Sequence, residues 1–200
     1  VQETTRWAMY DAMTGEWILD IANATVGTLV AGENGEILSY RVAGGQLSLW
    51  NVSKCIAAGS GKNLTFANYS PAEIWRPPQG ATINWNDGYE WTKPVATNIS
   101  GVPISPALAI SAVSDGVVVT IGLDTSTPGR FQTGYTIYAG YSAVDGHLIF
   151  GPNNLTLPPF TGTVVRYGEG VYAEYNRNLM SWIGYDIQTG QKLWGPTQSA

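Results

Sequence analysis

The chain has 200 residues, with 15 Asp and Glu against 10 Lys and Arg, a net charge of −5 and a sequence pI near 4.7. Only 12% of positions are charged, about half of the ~25% usual in soluble globular chains, while 44% are hydrophobic, so the chain can bury a core and a disordered polymer is excluded. With 24 Gly, 11 Pro, 8 Trp, 11 Tyr and 4 Phe the composition favours short strands and turns over helix bundles or coiled coils, and without a basic block no nucleic-acid partner is expected.

In chain order, the first strand signal is the run Arg6-Trp-Ala-Met-Tyr10, followed by a hairpin, Tyr10-Asp-Ala-Met-Thr-Gly15-Glu-Trp-Ile-Leu19. A second segment, Tyr40-Arg-Val-Ala-Gly-Gly45-Gln-Leu-Ser-Leu49, aligns with it without a gap. Residues 51–106 read as a loop-rich insertion or degenerate blade with one hairpin, Trp85-Asn-Asp-Gly-Tyr-Glu-Trp91, whose Asn-Asp-Gly centre is a tight-turn signal. Val117–Ile121 and Tyr135–Tyr138 are strand signals leading into a third copy, Tyr141-Ser-Ala-Val-Asp-Gly146-His-Leu-Ile-Phe150. Val164–Tyr167, Val171–Tyr175 and Leu179–Ile183 lead into a fourth, Tyr185-Asp-Ile-Gln-Thr-Gly190-Gln-Lys-Leu-Trp194.

In every copy a glycine follows the tyrosine by five residues, and a large apolar residue, Leu19, Leu49, Phe150 or Trp194, follows the glycine by four. The glycine is required if the turn needs positive φ, and the Asp or Thr beside it can close the turn through its side-chain oxygen. The spacing predicts four equivalent hairpins with those four apolar residues buried. Tyr141 and Tyr185 stand 44 residues apart, which is the length of one propeller blade of three or four strands.

The pattern aromatic-Asp-x-x-x-Gly-x-x-x-Trp, complete at Tyr185, Asp186, Gly190 and Trp194 and partial at Tyr10, Asp11, Gly15 and Leu19, resembles the tryptophan-docking repeat of the pyrroloquinoline-quinone-like (quinoprotein) β-propellers. The resemblance covers the two ends of the chain. It implies an all-β fold: a β-propeller-like array of about four blades, partial or degenerate, with repeats over residues 1–50 and 107–200. It also implies that the blade-terminal aromatic packs between neighbouring blades. A quinoprotein dehydrogenase of this family would need calcium ligands, an Asp base and a vicinal cysteine pair, and one cysteine, Cys55, cannot supply that pair. No cofactor is expected.

Other catalytic patterns fail on counting. The lone His147 leaves neither a zinc cluster nor a Ser-His-Asp triad, and Gly59-Ser-Gly-Lys62 lacks the glycine and hydroxyl spacing of a phosphate loop. The carboxylates Asp87 with Glu90, Asp115 with Asp124, and Glu169 with Glu174 are candidates for glycosidic acid and base, against a reading as solvated turn acids. Trp75, Trp85 and Trp91 are candidates for a sugar-stacking platform, against a local core.

Six triplets fit the N-glycan acceptor, at Asn23, Asn51, Asn63, Asn68, Asn98 and Asn154. Glycans would supply the solvation that few charges cannot, so sequons and low charge together point to an exported, cell-surface or extracellular protein. No window reaches the roughly 18 apolar residues of a membrane span. The expected function is a non-enzymatic glycoprotein for assembly or adhesion, whose partner is another copy of itself through edges near Trp7 and the final repeat. The alternatives are a fragment of a quinoprotein-like or sugar-acting enzyme, or a carbohydrate-binding module.

Overall fold

A computed structural model of the chain describes residues 5–60, 79–104, 108–124, 135–156, 164–176 and 179–198. The fold is all-β, apart from one α-helix among the described residues. The chain divides into two compact units, residues 1–41 with 48–92, and residues 42–47 with 93–200.

The first unit begins with β1 (Arg6–Tyr10) and β2 (Trp17–Ala22), an antiparallel pair, and β6 (Ala81–Asn84) adds to β2 in parallel, Leu19 opposite Ala81. β3 (Thr28–Ala31), β4 (Ile37–Ala43), β5 (Gln46–Asn51) and β7 (Tyr89–Pro94) form a four-stranded sheet in the order β3-β4-β5-β7. Between β5 and β6 lies α1 (Val52–Ser60), where a loop was expected. Asn51 starts it, its side-chain oxygen accepting from the amides of Ser53 and Lys54, as an N-cap does. Val52, Cys55 and Ile56, at helical spacing, then face the core.

That core is organised by three tryptophans. Trp50 and Trp85 stack with centroids 3.7 Å apart and planes 3° from parallel, and Trp7 meets both edge-on at 5.8 and 5.1 Å. Trp50 Nε1 donates to the Trp85 carbonyl at 2.7 Å. Leu19, Ile21, Cys55 and Ile83 complete the cluster.

The expected hairpin at Trp85–Trp91 is not one. The strands on either side of its turn, β6 and β7, belong to different sheets, and Trp85–Gly88 is a 3-10 turn capped by the Asn84 side chain, which accepts from Asn86 N. Burial of the Trp85 ring against Trp50 outweighs the local preference of Asn-Asp-Gly for a two-residue turn.

The second unit holds two antiparallel meanders. β10 (Ala109–Ser114), β11 (Val117–Asp124), β12 (Tyr135–Ser142) and β13 (Leu148–Thr156) form one sheet. β14 (Val164–Gly168), β15 (Val171–Asn176), β16 (Ser181–Asp186) and β17 (Lys192–Trp194) form the other. A short ribbon of β8 (Asn98–Ile99) and β9 (Val102–Pro103) precedes them.

The two meanders repeat each other in detail. Their first turns are Asp115-Gly116 and Glu169-Gly170, with φ of 51° and 76° and of 54° and 75°, the positive pair of a type I′ hairpin. Ala143 N donates to the Gly116 carbonyl in one sheet and Ile187 N to the Gly170 carbonyl in the other. Ala112, Val117, Val119 and Tyr138 of the first sheet pack with Tyr172 and Ile187 of the second in one core.

Candidate functional site

Three of the four aligned hairpins share one turn. Asp11, Ser142 and Asp186 each follow the tyrosine. The backbone carbonyl of each accepts from the turn glycine, Gly15, Gly146 or Gly190, and the backbone amide of each donates to the residue after that glycine. The side-chain oxygen of each accepts from the two amides two and three residues on. The glycines have φ of 73°, 73° and 68°, a conformation that other L-residues rarely adopt.

The second copy departs from this, which corrects the expectation of four equivalent hairpins. Arg41 stands where the others carry Asp or Ser, so no side-chain oxygen caps the loop. The strand instead runs on to Ala43 and turns tightly at Gly44-Gly45, φ 56° and 73°.

The register across the turn is also shared. Met9 faces Leu19, Gly140 faces Phe150 and Gly184 faces Trp194, each next to a β-bulge. In the second unit the aromatic ring lies flat on the facing glycine, so that a Cβ on Gly140 would overlap the Phe150 ring and one on Gly184 the Trp194 ring. Gly190 closes the other side of Phe150, since a Cβ there would come to 2.5 Å from Phe150 Cδ2. Phe150 is thus seated between a glycine of its own sheet and the turn glycine of the next.

Of the four expected apolar anchors, Leu19 and Leu49 are buried, at 0% and 6% exposure, and Phe150 is half-buried. Trp194 is 41% exposed, contrary to the expectation of burial: it stands on β17, the end strand of its sheet, with Gly184 against its ring.

Beside Phe150 the two sheets border a partly open pocket of about 330 Å³, lined also by Tyr138, Tyr172, Tyr185, Asp186 and Asn153. Tyr138 on β12 donates to Glu174 Oε2 at 2.7 Å, crossing from one sheet to the other, and its ring meets Tyr172 edge-on at 5.3 Å. Tyr172 shares a 3.1 Å hydrogen bond with Ser111 on β10. Tyr172 and Glu174, two apart on β15, project from one face.

Burial pushes the Tyr138 phenol up, helped by Tyr172 and Glu174, and pushes Tyr172 and Tyr185 up to about 12. Burial also holds the Glu174 carboxyl above its ordinary range, while the Tyr138 hydrogen bond acts the other way. Phenols held protonated in this way donate hydrogen bonds and do not act as bases or nucleophiles near neutral pH. The cluster joins sheets and presents an aromatic wall.

The remaining candidates are dispersed. Trp85 is fully buried, which corrects its candidacy as a sugar platform. Trp91 is half-buried beside Tyr40, ring centroids 6.2 Å apart, and Trp75 lies outside the described residues. Among the carboxylates, Glu90 pairs with Lys54 at 3.0 Å and Asp115 accepts from Ser114 and from Gly170 N. Glu169 occupies the exposed β14–β15 turn, Asp87 is in the 3-10 turn, and the side chain of Asp124 lies outside the described residues. Glu174 corrects the reading as a solvated turn acid, being partly buried and bonded to Tyr138.

His147 bonds Asp145 at 2.6 Å on an exposed turn, and hydrogen bonds from Ser142 and His147 lower that carboxyl to about 2. Cys55 is buried and free, its thiol pushed up to about 12 by burial and by Asp87. Asn23 and Asn98 are exposed and Asn51 is half-buried at the start of α1, whereas Asn63, Asn68 and the side chain of Asn154 lie outside the described residues. Among the described residues no group of three His, Cys, Asp or Glu side chains is placed to hold a metal ion, and no helix is long and apolar enough to cross a membrane.

Two signals in the sequence would have found the seam between the sheets. The repeat is longer than ten residues, running from Gly140 to Pro152 and from Gly184 to Pro196, with the seating glycine before the tyrosine and a Gly-Pro after the aromatic. The alternation Tyr172-Ala-Glu174 places an acid and a phenol on one strand face. Compared with known proteins, the chain matches no family model and no curated protein.

Proposed function

We propose that the chain is a β-propeller-like repeat protein of the cell exterior, similar to the quinoprotein-type propellers in its docking repeat, N-glycosylated, non-enzymatic, and used for assembly or adhesion. The observation that carries this reading is the seat of Phe150, gripped by Gly140 of its own sheet and by the turn glycine Gly190 of the next. The resemblance to the quinoprotein-type propellers implies an aromatic residue packed between neighbouring blades, and Phe150, on the last strand of one four-stranded meander, packs on a turn of the next. Among the described residues, one three-stranded and three four-stranded sheets fit the arithmetic of about four blades, with residues 51–106, which hold α1 and the two-stranded ribbon, as the degenerate part.

The non-enzymatic reading rests on the sequence, whose single cysteine and lone histidine supply neither a vicinal cysteine pair nor a zinc cluster or Ser-His-Asp triad. The exported reading rests on six sequons in a chain with few charges, two of whose acceptors, Asn23 and Asn98, are exposed. Two measurements test it. Glycopeptide mass spectrometry on protein from its natural source should find most of the six asparagines modified, and six bare asparagines would end the exported-glycoprotein reading. An experimental structure should place the two meanders as successive blades around an axis, and a face-to-face sandwich would end the propeller reading.

A further inference from the structure

The seat that holds Phe150 has two halves, and among the described residues each unit offers a further half, Trp194 on Gly184 in the second and the Gly15 turn in the first. Phe150 rests on Gly140 and is covered by Gly190. Trp194 rests on Gly184 in the same register, Gly184 facing Trp194 as Gly140 faces Phe150, but its ring is 41% exposed. What covers such a ring is the glycine of a capped five-residue turn. The first hairpin presents one: Gly15 has a φ of 73°, against 68° at Gly190, in the same Asp-capped turn, and among the described residues nothing lies within 4 Å of the position its Cβ would take.

We infer that Trp194 of one copy docks on the Gly15 turn of a second copy, so that chains join head to tail. The contact is heterologous, and where its rotation does not close, it extends into a filament. The inference rests on the self-assembling reading above and names the surfaces that would perform it.

The surroundings of both halves suit such a contact. Leu193, beside Trp194, is 52% exposed, and on the first hairpin Tyr10, Met13 and Trp17 are 57%, 94% and 41% exposed. A buried aromatic ring contributes ~150–250 Å² to an interface, so Trp194 is the anchor and these neighbours form its apolar rim. β1 and β17, which flank the two halves, are also the end strands of their sheets, and β-edges readily add strands.

The test is sedimentation velocity of the full chain from low to high micromolar concentration, with two variants. Trp194→Ala removes the ring, and Gly15→Asn fills the seat with a residue that tolerates positive φ. The wild type should form a concentration-dependent series of species, and each variant alone should sediment as a monomer. An equimolar mixture of the two should form dimers and nothing longer, because only the Trp194 of Gly15→Asn and the Gly15 of Trp194→Ala remain to meet.

A wild type that stays monomeric overturns the inference, including one that covers Trp194 with its own chain. Variants that assemble like the wild type overturn it too, as does a mixture of folded variants that does not dimerise. If Trp194→Ala loses its β circular-dichroism signal, Gly15→Asn decides alone, since it leaves the last sheet untouched. Glycopeptide mapping of the same material separates this failure from that of the broader reading: a glycosylated monomer removes only the head-to-tail contact, and an unglycosylated assembler removes only the exported reading.

Discussion

In the second unit the strand before each capped turn carries glycine, Gly140 or Gly184, and the strand after it an aromatic ring, Phe150 or Trp194; in the first unit the same positions hold Met9 and Leu19. The turns are alike, so the loop is set from within, by an Asp or Ser after the tyrosine and a glycine four residues later. What the sheet does next is set by the facing pair. With Met9 opposite, Leu19 enters a closed core with Trp7, Trp50 and Trp85. With glycine opposite, Phe150 lies along the backbone and reaches the neighbouring sheet. One pair makes a hairpin self-contained, and the other makes it a connector.

Breaking the first unit should have the largest effect. Trp50→Ala removes a fully buried ring, its stacking on Trp85 and the hydrogen bond to the Trp85 carbonyl, and should cost about 3–5 kcal/mol in denaturant melts. Trp194→Ala should cost about 1–2 kcal/mol, because nearly half of that side chain is already in water. Equal costs would mean that the last ring is docked more fully than its exposure indicates.

Gly140→Ala and Gly184→Ala sharpen the contrast within the second unit. Neither glycine has positive φ, so the added methyl acts through crowding alone. At Gly140 it meets a ring held on its far side by Gly190, and about 1–3 kcal/mol of overpacking is expected. At Gly184 the ring can lift away, and the cost should be clearly smaller. Chemical denaturation of both variants reads the difference.

A pH effect follows from Glu174. Burial raises its folded pKa above the ordinary 4.5, so the folded protein holds that proton more tightly than the unfolded chain does. Its contribution is full below the unfolded value and declines as pH rises through the higher folded value. Glu174→Gln, which keeps an oxygen for Tyr138, should flatten that decline and raise the melting temperature near neutral pH. The smallest effect is at Cys55, whose thiol is buried and pushed up to about 12, so alkylating reagents should label it only after unfolding.

These contrasts also mark how far the sequence could be read. Strands β11, β12, β14 and β15 and the capped turns at Gly146 and Gly190 were legible because each follows local rules: runs of β-branched and aromatic residues, then a glycine at a fixed distance from a tyrosine; β10 and the β8–β9 ribbon were not foreseen. The turn at Gly44-Gly45 was misjudged, although Arg41 in place of an acid was visible, because alignment by spacing ignores what caps a loop. α1 and the 3-10 turn at Trp85 were missed because burial decides both. Helix signals over nine residues are weak, and only the Trp50 ring explains why Asn-Asp-Gly does not form a hairpin here. That Tyr172 and Glu174 share a face was legible, but that Tyr138 is the partner of Glu174 was not, since no periodicity shows which face of one sheet meets another.

The most direct test of the glycine seat is a double-mutant cycle at Gly140 and Phe150 read by chemical denaturation. If the ring is seated on the glycine, Gly140→Ala and Phe150→Leu couple: the leucine, as in the Leu19 position opposite Met9, relieves the crowding that the methyl creates, and the double variant is more stable than the sum of the singles by about 0.5–3 kcal/mol. Strict additivity would mean that the ring does not rest on Gly140, and would contradict the seat that joins one sheet to the next.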